Sequence, residues 1–443
     1  MQGTRESKMK KTENQFFYGW WIVLALMAVS GSALALTITT FNIYLNAFTQ
    51  QAGISATQFA LCSTIINITV MLFSPKVGKI LQAHTQKALL FFLTGFCLSY
   101  AAFSMVSSIA ALYATAALFG FFSTGLTFIP PNILVNRWFA EKKGLAMSIA
   151  LSGSAFFGMA LSKYITYCIQ HFSLAFAYQT VAAIMFAAGA VLIVFIIKDS
   201  PESIGLKAYG AEQALKQSVP GNQTALVHLA PAVLKKKPFF WSMLAAQFLV
   251  GFVGGGIVLQ LPVYLQNTFG MEQAATFLVI TLGIMIFAKV ALGWLYDKFG
   301  SLKTTALVAA SVLLTCIPFI FTVSADMWML GLVGAMFWGV GNCIGTVTPA
   351  VVASKTYGPA YYGEVYGICL RFQTLGIAAG VPAISMIAAE TGSFTMVWVL
   401  CSFLTVLLLS FYAVGLNGSK VYRSHTAEDS IQLKDSMPLQ PAG

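Results

Sequence analysis

Three positively charged side chains interrupt long apolar stretches of this 443-residue sequence: Lys163, Lys289 and Arg371. A charge surrounded by hydrocarbon is expensive and marks function by default. Lys289 precedes Asp297 by eight residues, and Arg371 follows Gly363 by eight. At the rise of a helix, both stand about 12 Å from the same polar boundary. No Asp or Glu occurs at that depth in any apolar stretch. A buried cation without an acceptor costs several kcal/mol, so a wet cavity or a ligand must answer these two. An anionic ligand is the simplest answer. Arg offers a planar fork matched to a carboxylate, and Lys a mobile point charge. The alternatives are snorkelling and pairing with helix-end carbonyls. Lys163 lies eighteen residues into its stretch, near the far boundary, and suits snorkelling.

Polar and aromatic residues can complete such a cavity. Thr37, Thr40, Asn42 and Tyr44 lie on the first stretch, and Asn67 lies on the second. Pro130, Pro131 and Asn132 break the fourth. Gln260 and Tyr264 lie on the seventh, Trp338 and Asn342 one turn apart on the tenth, and Gln373 beside Arg371 on the eleventh. For any one of these, hydrogen bonding between helices is the competing explanation. Tyr18, Trp20 and Trp21 suit an interfacial aromatic belt. The four histidines (84, 171, 228 and 425) all lie outside the apolar stretches. A proton relay normally needs an ionisable group at mid-depth. This pattern favours anion exchange, or a substrate that brings its own proton.

The elements that must position these residues follow from composition. Hydrophobic residues make up 58% and charged residues 9%, with net charge +11. A soluble chain carries about a quarter charged residues, so a water-soluble enzyme, a disordered scaffold and a nucleic-acid-binding domain are excluded. Apolar runs cover 19–47, 58–80, 88–107, 110–134, 145–169, 174–197, 239–266, 274–296, 303–323, 328–353, 364–389 and 394–416. Each suffices for a helix to cross about 30 Å of hydrocarbon. With the amino terminus inside, 22 of the 25 basic residues fall on one side. The opposite loops hold only Glu272, Asp326 and Glu390. The positive-inside rule then puts both termini in the cytoplasm of a cell (inner) membrane protein. The first run is too long for a cleavable signal, and no small-residue cleavage site follows a short core. All seven cysteines fall inside runs without a C-x-x-C pair, which suits small buried side chains rather than disulfides or a metal site. Glycosylation sequons at Asn67, Asn222 and Asn417 lie in the membrane or on the inner side and read as accidental.

The polar stretch from Lys198 to Pro238 splits the runs six and six. The predicted organisation is an N-terminal segment (1–18), a six-helix bundle (19–197), a cytoplasmic linker (198–238) with a short helix around Ala211–Gln217, a second bundle (239–416) and a tail (417–443). The halves repeat at a near-constant offset. Tyr44-Leu45-Asn46 is echoed by Tyr264-Leu265-Gln266, Gly31 by Gly251 and Gly144 by Gly363. Parallel repeats of this kind build a major transporter class, with substrate at the midplane between the halves. Gly293-Trp294-Leu295-Tyr296-Asp297-Lys298-Phe299-Gly300 resembles the G-x-L-x-D-R/K-x-G signature of the major facilitator superfamily. Gly293, Asp297 and Gly300 are therefore the gating candidates, with Asp297 latching the cytoplasmic side. The equivalent turn of the first half, Gly78 to Lys87, keeps its glycine and basic residues but has no acid, which weakens a first-half latch.

Three further segments extend the resemblance. They are Tyr18-Gly19-Trp20-Trp21, then Asn136-Arg137-Trp138-Phe139 with Lys142-Lys143-Gly144-Leu145-Ala146, and Asp199-Ser200-Pro201-Glu202 with Ile204-Gly205-Leu206-Lys207. Over residues 16–416 the chain resembles bacterial monocarboxylate-transporter-like members of that superfamily and the related oxalate–formate antiporters. The resemblance implies cations on helices 8 and 11 that bind substrate carboxylates, here Lys289 and Arg371 in swapped order. It also implies a helix-10 aromatic, here Trp338. Two departures speak against proton symport of the animal type. Met285 stands where those symporters have an Asp, and Thr37-Ile38-Thr39 where they have a helix-1 Lys.

The expected fold is all-α, with twelve transmembrane helices in two pseudosymmetric six-helix bundles. The expected function is secondary transport of a small mono- or dicarboxylate by alternating access, in a monomer that needs no cofactor and no nucleic acid. The substrate-binding candidates are Arg371, Lys289, Trp338, Asn342, Tyr44, Asn42, Gln260 and Tyr264. A non-transporting receptor on this fold is disfavoured by the short tail after Gly418. A multidrug–proton exporter is disfavoured by the missing first-half acid and by the absence of Pro from Ser152–Gly158. An enzyme is disfavoured by the lack of any phosphate loop, zinc spacing or intramembrane catalytic pair.

Overall fold

The computed structural model describes residues 17–44, 48, 56–211, 231–322, 325–357 and 361–435. Twelve helices among them are long and apolar enough to cross a bilayer. In the first half these are α1 (Gly19–Thr39), α2 (Leu61–Ala83), α3 (Thr85–Met105), α4 (Ile109–Trp138), α5 (Lys143–His171) and α6 (Leu174–Ile196). In the second they are α7 (Pro238–Phe269), α8 (Glu272–Phe299), α9 (Ser301–Phe321), α10 (Trp328–Tyr357), α11 (Tyr362–Thr391) and α12 (Thr395–Tyr422). In hydrocarbon every backbone polar group must be satisfied internally, so long apolar runs become helices. The twelve match the twelve apolar runs one for one. The last helix overshoots: it continues from Thr395 to Asp435 rather than stopping near 416, because no proline interrupts the chain before Pro438. The short helix expected at Ala211–Gln217 lies outside the described residues beyond Ala211, and so does the side chain of Asn42.

The sequence repeat is a packing repeat. Tyr44 stacks on Tyr178 with ring centroids 4.0 Å apart, and its hydroxyl pairs with that of Tyr100 at 2.7 Å. Tyr264 packs edge-on against Trp398 at 5.1 Å and Phe319 at 4.9 Å. Adding 219 or 220 to 44, 100 and 178 gives 264, 319 and 398. Each bundle is therefore closed at its far end by an aromatic knot joining its first, third and sixth helices. Likewise Gly31 abuts Gly153 across α1 and α5, and Gly251 abuts Gln373 across α7 and α11, again at an offset of 220.

Two helices are broken at corresponding places. In α4 a turn separates Ile109–Thr124 from Ile129–Trp138, which starts with Pro130 and Pro131. In α10 a 3₁₀ turn, Asn342–Gly345, separates Trp328–Gly341 from Val347–Tyr357, which has Pro349 in its first turn. Proline suits a helix's first turn, where its missing N–H is an orphan anyway. The prolines of α4 thus start the second half-helix rather than break it, and the break is at Gly125, whose partner at +220 is Gly345. Discontinuous helices at matching positions are the usual sign of a carrier's midplane site.

Two apolar crevices, about 140 Å³ along α1, α5 and α6 and about 320 Å³ along α7, α11 and α12, contain no charged residue. Neither is lined by Lys289 or Arg371.

Candidate functional site

Two seams join the bundles. Along α11, Gly363, Gly367 and Arg371 recur every fourth residue and so share one face. That face runs down α2. Gly363 abuts Gly78, the Ser74 hydroxyl donates to the Gly367 carbonyl at 2.9 Å, and Arg371 donates to the carbonyls of Met71 (Nε, 2.9 Å) and Leu72 (3.2 Å). The acceptor exists for a covalent reason. Pro75 has no N–H, so the Met71 carbonyl lacks its normal partner within α2.

The second seam joins α5 to α8. Gly144 and Ser148 abut Gly293, and one turn further on Lys289 donates to Ser154 Oγ at 2.8 Å and to the Leu151 carbonyl at 3.3 Å. Lys289 is 1% exposed, whereas Arg371 is exposed. Among the described residues neither cation has a carboxylate within 4 Å; the ion pair seen is Lys355–Asp297. Both cations therefore belong to the second half, and both spend their hydrogens on main-chain or hydroxyl oxygens of the first.

Below the cations, toward the basic end, each seam ends in a latch. Helix α5 starts after Lys142, a left-handed residue (φ 54°) that offers no side-chain cap. Its orphan amides need an acceptor. Asp297 supplies one from the other half, accepting from Gly144 N and Leu145 N at 3.0 Å each, with Lys355 at 3.2 Å. A carboxylate at a helix N-terminus also meets the favourable end of the helix dipole. The partner latch contains Gln82. It lies four residues after Gly78, as Asp297 lies four after Gly293, and accepts from Gly363 N at 2.7 Å. Arg137 donates to the Gln82 carbonyl and to Thr85 Oγ1 at 2.9 Å, while Lys355 donates to the Tyr296 carbonyl at 2.6 Å. The first half therefore makes a matching contact across the seam, with an amide in place of the acid. Two more ties close this end: Tyr362 OH donates to Asn132 Oδ1 at 2.6 Å, and Ser354 Oγ to Asn136 Oδ1 at 2.5 Å.

Gln82, Ser154 and the Asn132 and Asn136 ties were missed as gate elements. The Gly-x-x-x-Gln spacing repeated against Gly-x-x-x-Asp was the available signal for Gln82. Ser154 gave none, since a serine among small residues on an apolar helix is ordinary.

The hydrogen bonds seen between the halves lie between these two cations and the basic end. Farther up, a Cβ added at Gly254 or Gly283 would meet nothing within 4 Å. Lys289 and Arg371 are the residues of these two seams farthest from the basic end.

Several expected cavity residues are placed elsewhere. Tyr44 is fully buried and Tyr264 is 4% exposed, each within its half's aromatic knot. Their hydroxyls go to Tyr100 and to the Phe319 carbonyl, because a buried phenol needs a partner. Trp338 is 2% exposed and packed inside α10's own bundle. Gln260 donates to Ser385 Oγ at 2.5 Å, tying α7 to α11. Asn67 donates to Ser63 O, Thr37 to Ala33 O and Gln373 to Gly345 O, so each serves a helix backbone. Asn342 is half-buried at the break of α10. Gly300 (φ 82°) makes the one-residue turn from α8 to α9, a backbone shape that favours glycine, and touches no gate element.

Two related bundles of six apolar helices, zipped at one end and charged at mid-depth, define a multi-pass membrane transporter. The chain belongs to the major facilitator superfamily, whose family model matches residues 23–381. It is similar to monocarboxylate transporter 12-B of Danio rerio, with 23% identity over 410 residues covering 87% of this chain and 84% of the relative. It is also similar to the oxalate:formate antiporter of Oxalobacter formigenes, with 24% identity over 413 residues covering 91% and 90%. Among solved structures it shares the fold of the major facilitator transporter FucP in the outward conformation, with TM-score 0.64 and 15% identity over 90% of this chain and 99% of that one. The protein is a transporter and not an enzyme.

Proposed function

We propose that this protein moves a small organic anion, a mono- or dicarboxylate, across a cell membrane by alternating access. The observation that carries the reading is the pair of mid-depth cations, Lys289 and Arg371, with no carboxylate within 4 Å of either among the described residues. Their present acceptors are neutral oxygens, and a carboxylate would add an opposite charge and, to Arg371, a bidentate geometry. The positive-inside rule supports reading the basic end as the cytoplasmic side, with both termini on it. Asp297 and Gln82 hold that side shut, with Gly293 and Gly78 as the contact points of the two seams. The named substrates of the similar transporters, monocarboxylates, oxalate and formate, agree in class with this reading. No Asp, Glu or His stands at the depth of Lys289 and Arg371 in any apolar run, which supports anion exchange or proton movement carried by the substrate itself.

The test is counterflow in proteoliposomes with radiolabelled formate, acetate, L-lactate and oxalate, at two pH values and with or without anion on the trans side. Saturable accumulation of at least one of them is expected. Transport confined to neutral or cationic solutes would overturn the proposal.

A further inference from the structure

The partners of Lys289 form a closed set. Ser154 Oγ donates its hydrogen to the Leu151 carbonyl at 2.9 Å and accepts from Lys289 Nζ at 2.8 Å, while Nζ also reaches that carbonyl at 3.3 Å. Arg371 is tied similarly to Met71 and Leu72. The chemistry is one-sided, since both cations ride on the second half and all their acceptors on the first. Any rocking that opens the basic end pulls α5 from α8 and α2 from α11. On the α5 side the acceptor loses little, because Leu151 keeps its Ser154 hydrogen bond, whereas on the α2 side the Met71 carbonyl loses the donor that stands in for the missing Pro75 amide. The cations lose every acceptor they have. Lys289 is the buried one of the two, and a buried cation stripped of its partner is strongly disfavoured. A carboxylate bound to the second half would travel with the cations and replace what they leave behind.

We propose that Ser154 is a positioning residue that holds Lys289 in a substrate-released tie, so that the empty carrier is held shut at its basic end and reorients readily only when an anion takes the ammonium. The inference rests on the carboxylate reading above and adds its coupling: exchange outruns net flux because the unloaded return step is the one the tie opposes. Ser154 need not touch the anion. Its task is to give the ammonium a resting acceptor weaker than a carboxylate.

The test reads the empty protein first. Spin labels at Met105→Cys and Met329→Cys stand on exposed outer ends of opposite halves (82% and 65% exposed). Their distance distribution reports whether those ends are apart or together. Removing a hydrogen bond to a charged group should shift the ratio of the two states about ten-fold. Ser154→Ala is therefore expected to raise the ends-together population about ten-fold without any anion, and Ser154→Thr to restore the original distribution. In proteoliposomes, Ser154→Ala should raise net efflux of preloaded oxalate relative to oxalate–oxalate exchange. A purely structural role would lower both rates together. An unchanged distance distribution in Ser154→Ala, with Lys289→Gln inactive, overturns the tie and leaves the carboxylate reading intact. Wild-type anion transport by Lys289→Gln overturns both.

Discussion

The two latches make the same contact with different chemistry, and their difference can be measured. Asp297 accepts two amide hydrogen bonds from Gly144 and Leu145 and pairs with Lys355; the Gln82 side-chain oxygen accepts from the Gly363 amide. Each charge-assisted bond contributes about 1.5–3 kcal/mol, and a neutral one about 1 kcal/mol. The Lys355 pair is partly exposed (28% and 20%), so it adds at most about 1 kcal/mol. Allowing for water that enters as the gate opens, Asp297→Ala should weaken the closed basic end by about 3 kcal/mol, which is ~100-fold in the ratio of states. Gln82→Ala should weaken it by about 1 kcal/mol, or ~5-fold. Asp297→Asn keeps one acceptor oxygen and should fall between them. The assay is the distance distribution between labels at Met105→Cys and Met329→Cys in the empty protein. An Asp297→Ala distribution equal to wild type, or a larger shift from Gln82→Ala, would refute the reasoning.

Further outcomes follow from the seams. Arg371→Leu leaves the Met71 carbonyl without a donor and should cost about 1–3 kcal/mol of thermal stability in detergent. Pro75→Ala restores an α2 amide to that carbonyl, so the double variant should recover part of the loss; strict additivity would contradict the assigned role of Pro75. Gly78→Val sets a branched side chain against the Gly363 carbonyl. It should prevent closure and make the basic end permanently accessible to a membrane-impermeant maleimide, and unchanged accessibility would count against the seam. Tyr44→Phe removes only the hydrogen bond to Tyr100. It should cost about 1 kcal/mol of stability and leave substrate preference unchanged; altered preference would return Tyr44 to the binding site.

Much of this architecture could be read from the chain because the bilayer imposes it. Twelve apolar runs and a one-sided distribution of Lys and Arg need no tertiary information. The offset of 220 was visible in Tyr44 and Tyr264, but its meaning was not. The same tyrosines that advertise the repeat are knotted into each bundle's core, and sequence spacing does not tell a cavity-facing aromatic from a core one. The polar candidates Gln260, Asn67 and Gln373 misled for a related reason. In an apolar bundle a lone amide finds a backbone or helix partner before it finds a ligand. Lys289 and Arg371 stood out because charge is rare at that depth, yet their partners were hidden. A main-chain carbonyl freed by Pro75, and a hydroxyl at Ser154 on a distant segment, leave no mark in composition. The first-half latch was overlooked because an acid was sought, when an amide at the same spacing fills the role.

The central claim is that Lys289 and Arg371 bind the transported anion. The most direct test is oxalate and L-lactate counterflow by Lys289→Gln, Arg371→Gln and the double variant, each reconstituted at matched protein density and confirmed folded by thermal unfolding. Loss of accumulation in both single variants is predicted, with Arg371→Lys retaining more activity than Arg371→Gln. Wild-type accumulation by the folded double variant would contradict the account.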